Sequence, residues 1–276
     1  MTASYPSVDY LLGNTDAEHE RLIRQARHIA PFTERFFREA GIGPGQRVLD
    51  LGSGVGDVAM LVGNLVGPTG EVIGIERDTR SITRARARVK EAGQDNVSFI
   101  QSDVAQISRD KTFDAVVGRF ILQFLPYPVR VLRSLTEALR PGGIVAFQEP
   151  SFAAFLHVCP HLRLWSAGAS LIYETGRRAG VNPEMGLALH KVFQEAGLPA
   201  PKLHMDVPLG NDREFTRWVY DVICTLLPKI REFGLPLEQL GDLATLRQRL
   251  YEEIAAANSV VPILPLVGAW SKTNAT

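Results

Sequence analysis

A glycine-rich turn between two carboxylates is the part of this 276-residue chain whose residue types and spacing point most directly to chemistry. Asp50 precedes the run Gly52-Ser53-Gly54-Val55-Gly56 by two positions, and Asp57 follows it. Because glycine has no Cβ, the backbone of such a turn can approach a ligand closely. The apolar residues before the turn indicate a strand, and the pattern after it indicates a helix whose N-terminal N–H groups face the same point. The sequence therefore predicts a nucleotide-type site at the carboxyl end of a first parallel strand.

Asp57 separates this turn from a dinucleotide site. A Gly-x-Gly-x-x-Gly fingerprint requires a third glycine where this chain has Asp57. Carboxylates repel a diphosphate but suit hydroxyl groups and cations. Glu76 ends the next predicted strand about twenty residues beyond the turn, where it can accept hydrogen bonds from ribose hydroxyls. The alternative is an ordinary strand–turn–helix corner of an α/β fold.

The turn resembles motif I of the class I S-adenosylmethionine-dependent methyltransferases, an acidic residue two positions before Gly-x-Gly-x-Gly. An acidic residue after the third strand, Asp103, and the turn 139–143 into the fifth strand also resemble that family. The resemblance covers residues 41–150. It implies an α/β, doubly wound, mostly parallel seven-stranded sheet, with S-adenosyl-L-methionine as the cofactor.

The resemblance also implies roles for individual residues. Glu76 would bind the ribose, Asp103 the exocyclic amine of adenine, and the Val104 backbone N–H a ring nitrogen. Arg119, after the fourth strand, would lie by the amino-acid end of the cofactor. The full predicted cofactor set is Tyr10, Asp50, Gly52, Ser53, Gly54, Gly56, Asp57, Glu76, Arg77, Asp103, Val104 and Arg119.

The order of elements predicts three parts. Residues 1–40 form an N-terminal helical lid, in two pieces divided at Pro31, or else a helix pair that only packs on the sheet. Tyr10 is the candidate residue that closes over the cofactor. Residues 41–150 form the cofactor-binding core. Residues 151–276 supply the last two strands, with helical insertions near 152–179 and 212–258 that cover the substrate.

Composition narrows the class of protein. The chain has 30 basic and 30 acidic residues, so nothing suggests a nucleic-acid or membrane partner. Its two cysteines are too few for a disulfide framework and fit a reducing compartment. No secretory signal pattern and no membrane-spanning apolar run is visible. We expect a cytoplasmic protein.

The methyl acceptor is less well defined. We expect a small apolar or aromatic molecule, methylated at oxygen, nitrogen or carbon. Gln123 is a candidate to face the transferred methyl group, and Glu149 and His157 are candidate general bases. The aromatic residues that could wall the pocket are Trp165, Tyr173, Trp218 and Tyr220. Core packing is the alternative for all four. An amphipathic stripe over 215–227 packs either on the core or on a second subunit of a homo-oligomer.

Other classes of protein have weaker support. His157, Cys159 and His161 share a face only if the segment is extended, and a fourth ligand is missing, so we expect no metal. An NAD(P)-dependent oxidoreductase would explain Glu76 but gives no reason for Asp103. A non-catalytic subunit that binds S-adenosylmethionine is the alternative outside enzymes.

Overall fold

The computed structural model describes residues 11–13, 15–102, 112–153 and 155–274. The predicted cofactor residues Tyr10, Asp103 and Val104 therefore lie outside the described residues. No helix in the described ranges is long and apolar enough to cross a membrane.

A seven-stranded sheet with the order β3-β2-β1-β4-β5-β9-β6 forms the centre of the fold. Its strands β1 to β5 pair in parallel, and β9 runs antiparallel to both β5 and β6. This confirms the predicted doubly wound, mostly parallel sheet with an antiparallel end. The strands are β1 (Arg47–Leu51), β2 (Glu71–Glu76), β3 (Val97–Gln101), β4 (Phe113–Arg119), β5 (Leu139–Pro150), β6 (Lys202–Asp206), β7 (Leu209–Gly210), β8 (Val261–Pro262) and β9 (Leu266–Lys272).

Helices cover both faces of the sheet and extend beyond one of its ends. They are α1 (Asp16–Ala40), α2 (Asp57–Val66), α3 (Thr79–Ala92), α4 (Pro128–Thr136), α5 (Arg163–Arg178), α6 (Met185–Glu195), α7 (Arg213–Thr216), α8 (Trp218–Glu232) and α9 (Leu243–Ala256). Helices α5 and α7 to α9 fall within the two ranges predicted as insertions. The division into lid, core and insertions stays a prediction.

Alternation along the strands builds two apolar cores, one on each face of the sheet. Val48 of β1 joins a core with α1, α2 and α3, whereas its neighbour Leu49 joins a core with α4 and α6. A third core lies among the helices of the insertions, and Ile29 of α1 also belongs to it. Helix α1 thus touches both the sheet and the inserted helices.

The prediction of two helical pieces at the N-terminus was wrong, because α1 is one continuous helix through Pro31. Proline removes the bond to the carbonyl four residues back, which belongs to Arg27. Arg27 and Pro31 are both exposed, so water can satisfy that carbonyl and the helix continues. The helix begins after Thr15, whose side chain accepts a hydrogen bond from the Glu18 N–H.

The C-terminal strands follow the prediction with one refinement. Pro262 lies in β8, a two-residue strand that pairs with β7, and β9 begins at Leu266. Strand β5 is longer than predicted: Leu139 already pairs with Phe113, and a register irregularity follows between Phe113 and Ala115.

Candidate active site

The carboxyl ends of β1 and β4 adjoin where the order of strands reverses, which is where α/β sheets bind ligands. The glycine-rich turn lies here, and each glycine is required for a different reason. A Cβ on Gly52 would lie 2.5 Å from Ile121 Cδ1. Gly54 has a φ of +52°, and a Cβ there would meet no atom within 4 Å. The turn thus packs tightly at Gly52 and leaves open space at Gly54.

Glu76 fastens the second loop of the site to the first. Its Oε2 accepts a hydrogen bond from the Gly54 N–H at 3.0 Å. Its Oε1 accepts from the Arg77 and Asp78 N–H groups at 2.7 and 3.0 Å. An ionised carboxylate offers about four lone-pair positions, so Oε2 can still accept a hydroxyl proton.

Arg119 supplies the positive charge of the site. Its Nη1 donates to Thr33 Oγ1 at 3.0 Å, and Thr33 in turn donates to Gln148 Oε1 at 2.7 Å, which ties α1 to β4 and β5. Burial lowers the pKa of Arg119, and the nearby charges of Asp57 and Asp50 oppose that shift. Asp57 is itself paired with Arg88 at 2.7 Å.

A cavity of about 700 Å³ opens over these groups. Seven of the predicted cofactor residues line it: Gly52, Ser53, Gly54, Asp57, Glu76, Arg77 and Arg119. Two others lie behind its surface. Asp50 is buried, and Gly56 caps α2 with a φ of 88°.

A second cavity of about 100 Å³ adjoins the first and is mainly apolar. Three of the predicted acceptor residues line it, namely Gln123, Tyr173 and Trp218. Six residues line both cavities: Leu11, Leu22, Gln25, Phe120, Phe124 and Val181. Trp165 and Tyr220 line neither cavity. Trp165 is 1 % exposed and packs on Phe155 with ring centroids 4.6 Å apart.

Neither of the two predicted general bases lines either cavity. His157 is exposed, on a 3₁₀ turn before α5. Glu149 is fully buried, and its carboxylate accepts hydrogen bonds from the N–H groups of Ile121, Leu122 and Gln123 at 2.8–3.4 Å. Burial raises the pKa of Glu149 to about 7, against the opposing effect of those N–H groups. Through these contacts Glu149 holds the backbone that follows β4. A catalytic role for either residue stays a prediction.

The His/Cys/His segment is not drawn together. Cys159 is buried with Sγ donating to the Val260 carbonyl at 3.7 Å, whereas His157 and His161 are exposed. Among the residues that the structure describes, no group of three or more potential metal ligands is found.

Sequence reasoning missed three residues of the site: Gln25, Thr33 and Phe120. Phe120 has a φ of +57°, unusual for a residue with a side chain, and lines both cavities. Such strain tends to occur at functional sites. The first two lie on α1, whose pattern indicated only an apolar face. The one available signal was that polar residues recur on that face.

The comparisons with known proteins decide the family. The model of a family described as "Methyltransferase domain" matches residues 42–197, more than half of the chain. The chain belongs to the class I S-adenosylmethionine-dependent methyltransferases. The predicted family is thereby confirmed, and S-adenosyl-L-methionine is the cofactor.

Two curated relatives illustrate the similarity. Residues of this chain are 34% identical over 111 residues to an arsenite methyltransferase of Halobacterium salinarum, covering 40% of this chain and 28% of that protein. They are 34% identical over 116 residues to the ubiquinone/menaquinone biosynthesis C-methyltransferase UbiE of Ectopseudomonas mendocina, covering 40% and 45%. The chain thus spans less than half the length of each of these relatives.

Solved structures show the same fold. The YcgJ protein of Bacillus subtilis aligns with a TM-score of 0.60 at 15% identity, covering 90% of this chain and 99% of that one. A putative methyltransferase of Bacillus halodurans aligns with a TM-score of 0.58 at 17% identity, covering 87% and 97%. At these identities the similarity establishes the fold alone.

The described residues fit the cofactor. The open space beside Gly54 is a cradle that a Cβ would fill, and Glu76 Oε2 can accept a ribose hydroxyl. Ser53 lines the cavity, and its Oγ is buried without a hydrogen-bond partner among the described residues. Buried polar atoms normally have partners, so this arrangement suits a polar ligand.

Proposed function

We propose that this chain transfers a methyl group from S-adenosylmethionine to a small apolar or aromatic molecule. One observation carries the proposal: the cavity over the glycine-rich turn adjoins a smaller, apolar cavity through six shared residues. A polar cofactor site that leads into an apolar recess places an apolar acceptor beside the cofactor.

The bound cofactor supplies a methyl group on a sulfonium sulfur, which a nucleophile can displace in line. The chain's own residues bind and orient. Glu76 would accept hydrogen bonds from the ribose, and Arg119 would hold the carboxylate of the amino-acid end. The apolar walls of the smaller cavity exclude water and fix the acceptor, so positioning supplies much of the rate.

The acceptor must bring a competent nucleophile. The described lining of the smaller cavity contains no carboxylate and no histidine, so neither of these two types of general base is present among its described residues. Carbon is our preferred methylated atom, because several curated relatives are named C-methyltransferases. An activated aromatic carbon meets the requirement for an apolar acceptor.

Calorimetric titration with S-adenosylmethionine, S-adenosylhomocysteine and NAD tests the cofactor half of this proposal. We expect both sulfur compounds to bind and NAD not to bind. Gly54→Ala should weaken binding at least about tenfold, because the new Cβ projects into the cavity. Gly93→Ala is the matched control, since Gly93 also has a positive φ of +64° and no atom within 4 Å of a Cβ but caps α3 away from the cavity.

Both alanine variants carry similar backbone strain, so equal losses of affinity would mean that strain rather than the cradle is responsible. Binding of NAD alone would favour an oxidoreductase. Tight binding of S-adenosylmethionine without methylation of any aromatic acceptor in a screen would favour a non-catalytic subunit.

A further inference from the structure

Gln25 is the one polar residue among the six that line both cavities. It lies on α1 and is 8% exposed. A side chain at this junction lies where the two cavities meet. Its hydrogen-bonding state therefore bears directly on what the acceptor can be.

Two neighbours fix the orientation of the Gln25 amide. Its Oε1 accepts from Arg21 Nη1 at 2.7 Å and from Trp218 Nε1 at 2.8 Å. A guanidinium and an indole can only donate, so the oxygen must be the atom that faces them. The amide cannot be flipped without placing its NH₂ group against two donors.

The Nε2 group of Gln25 is left with its two protons unused. No described residue accepts a hydrogen bond from this nitrogen. The atom is also absent from the fully buried polar atoms that lack a partner, so part of its surface is accessible. An amide nitrogen in that position retains access to the cavity. It presents a neutral donor in a recess whose walls are otherwise mainly apolar.

The charges near this recess are already balanced. Arg21 is 4% exposed and holds the 1%-exposed Glu18 through two hydrogen bonds of 2.7 Å. The recess therefore offers no unbalanced charge to an ionic acceptor. Its volume of about 100 Å³ is comparable with voids that admit one aromatic ring.

We propose that Gln25 Nε2 donates a hydrogen bond to a carbonyl or phenol-type oxygen of the methyl acceptor and so sets which atom of its ring faces the cofactor. Gln25 is a positioning residue for a neutral, oxygen-bearing ring. This inference rests on the proposed function, because it assumes that the smaller cavity holds the acceptor.

The test uses two probes of nearly the same shape, acetophenone and isopropylbenzene, of which only acetophenone carries an oxygen. Their dissociation constants are measured by ligand NMR titration of the full chain saturated with S-adenosylhomocysteine. For each protein, the dissociation constant of isopropylbenzene is divided by that of acetophenone. This ratio is then compared between wild type and Gln25→Glu, so that differences in probe hydration cancel. Glutamate keeps an oxygen for Arg21 and Trp218 but replaces the donor with an acceptor.

We expect Gln25→Glu to reduce the preference for acetophenone about tenfold, the scale of one lost hydrogen bond. Gln123→Glu is the matched control, because it makes the same change at the other amide of the recess. An unchanged ratio in Gln25→Glu, or a loss only in Gln123→Glu, overturns the inference. So does failure of both probes to bind.

Binding of S-adenosylhomocysteine is measured on the same samples. If wild type does not bind it, the proposed function fails at its cofactor. If it binds while the probe ratio is unaffected by Gln25→Glu, only the role of Gln25 is overturned.

Discussion

Asp50 carries a carboxyl group in an environment that disfavours its charge. It is 1% exposed, and the backbone N–H of Ala59 and the charge of Arg119 favour its ionised form without outweighing burial. Burial raises the pKa of Asp50 to about 8, although the positive charge of Arg119 opposes the shift. The group is therefore mostly protonated near neutral pH in the free protein.

The raised pKa of Asp50 predicts a pH-dependent stability. The folded pKa of about 8 lies above the unfolded value of 3.8, so the folded state holds the proton more tightly and the free energy of unfolding falls as the pH rises towards 8. Asp50→Asn removes this titration. Relative to the variant, wild type should lose on the order of 3 kcal/mol between pH 6 and 9, measured by urea unfolding.

The exposed residue Glu91 provides the control. Glu91→Gln should change the free energy of unfolding by a similar small amount at both pH values. A difference between wild type and Asp50→Asn that stays constant across this range would mean that Asp50 ionises normally inside the protein.

At the scale of elements, α1 and α8 are joined by a buried polar network. Glu18 and Arg21 form its ion pair, at 2.7 Å, and Thr225 of α8 donates to Glu18 at 2.9 Å. Trp218 of α8 joins it through Gln25. These contacts hold α1 beside the junction of the cavities, so the network positions the helix as well as the Gln25 amide.

Arg21→Met should destabilise the protein strongly, because it leaves the Glu18 carboxylate buried without its cation. Removing one member of a buried pair typically costs about 3–5 kcal/mol. Arg38→Met is the matched control on the same helix, since its pair with Glu34 is exposed and should contribute under about 1 kcal/mol. Urea unfolding measures both.

The double variant Glu18→Gln/Arg21→Met separates charge from packing. It should recover much of the stability, because a neutral amide tolerates burial better than an unpaired carboxylate. If the double variant is as unstable as Arg21→Met, the loss comes from packing of the arginine side chain.

At the scale of the whole molecule, many segments of chain wall the larger cavity, and three of them lie far apart in the sequence. The glycine-rich turn supplies Gly54, α1 supplies Leu22, and α8 supplies Lys229. A ligand in this cavity touches the sheet, the N-terminal helix and the second insertion together. Binding should therefore stabilise all three segments.

Hydrogen exchange with and without S-adenosylhomocysteine checks this expectation. At a ligand concentration of about 100 times Kd, the folded state gains about 2.7 kcal/mol. Amides near residues 52–58, 22–25 and 226–233 should all be protected. Protection confined to the glycine-rich turn would show that α1 and α8 do not close on the ligand, and NAD serves as the negative control.

Local residue chemistry was enough to predict the glycine-rich turn and the sheet around it. These features depend on residues close in the chain: the glycines at positions 52 and 54, the carboxylate of Glu76 and the helix cap at Asp78. The Asp78 side chain accepts a hydrogen bond from the Ser81 N–H at 2.7 Å. Apolar residues that recur every second position predict strands, and those that recur every 3.6 positions predict helices. Both patterns are also local in the chain.

The surroundings of two carboxylates at strand ends could not be predicted from the sequence. Glu76 and Glu149 lie near the carboxyl ends of their strands and resemble each other locally. Only the strand order places Glu76 beside Gly54, whereas the loop after β4 covers Glu149. The same applies to Trp165 and Trp218, which both lie on predicted insertions and both pack on Phe155, although only Trp218 lines the smaller cavity.

The sequence by itself determined the family and the cofactor, because the motif that indicates both is built from residues adjacent in the chain. The tertiary structure decided which polar groups reach the acceptor. Gln25 and Trp218 are separated by 193 positions, and their hydrogen bond exists only because α8 folds back on α1. No local pattern encodes such a contact, since its energy depends on packing between distant segments.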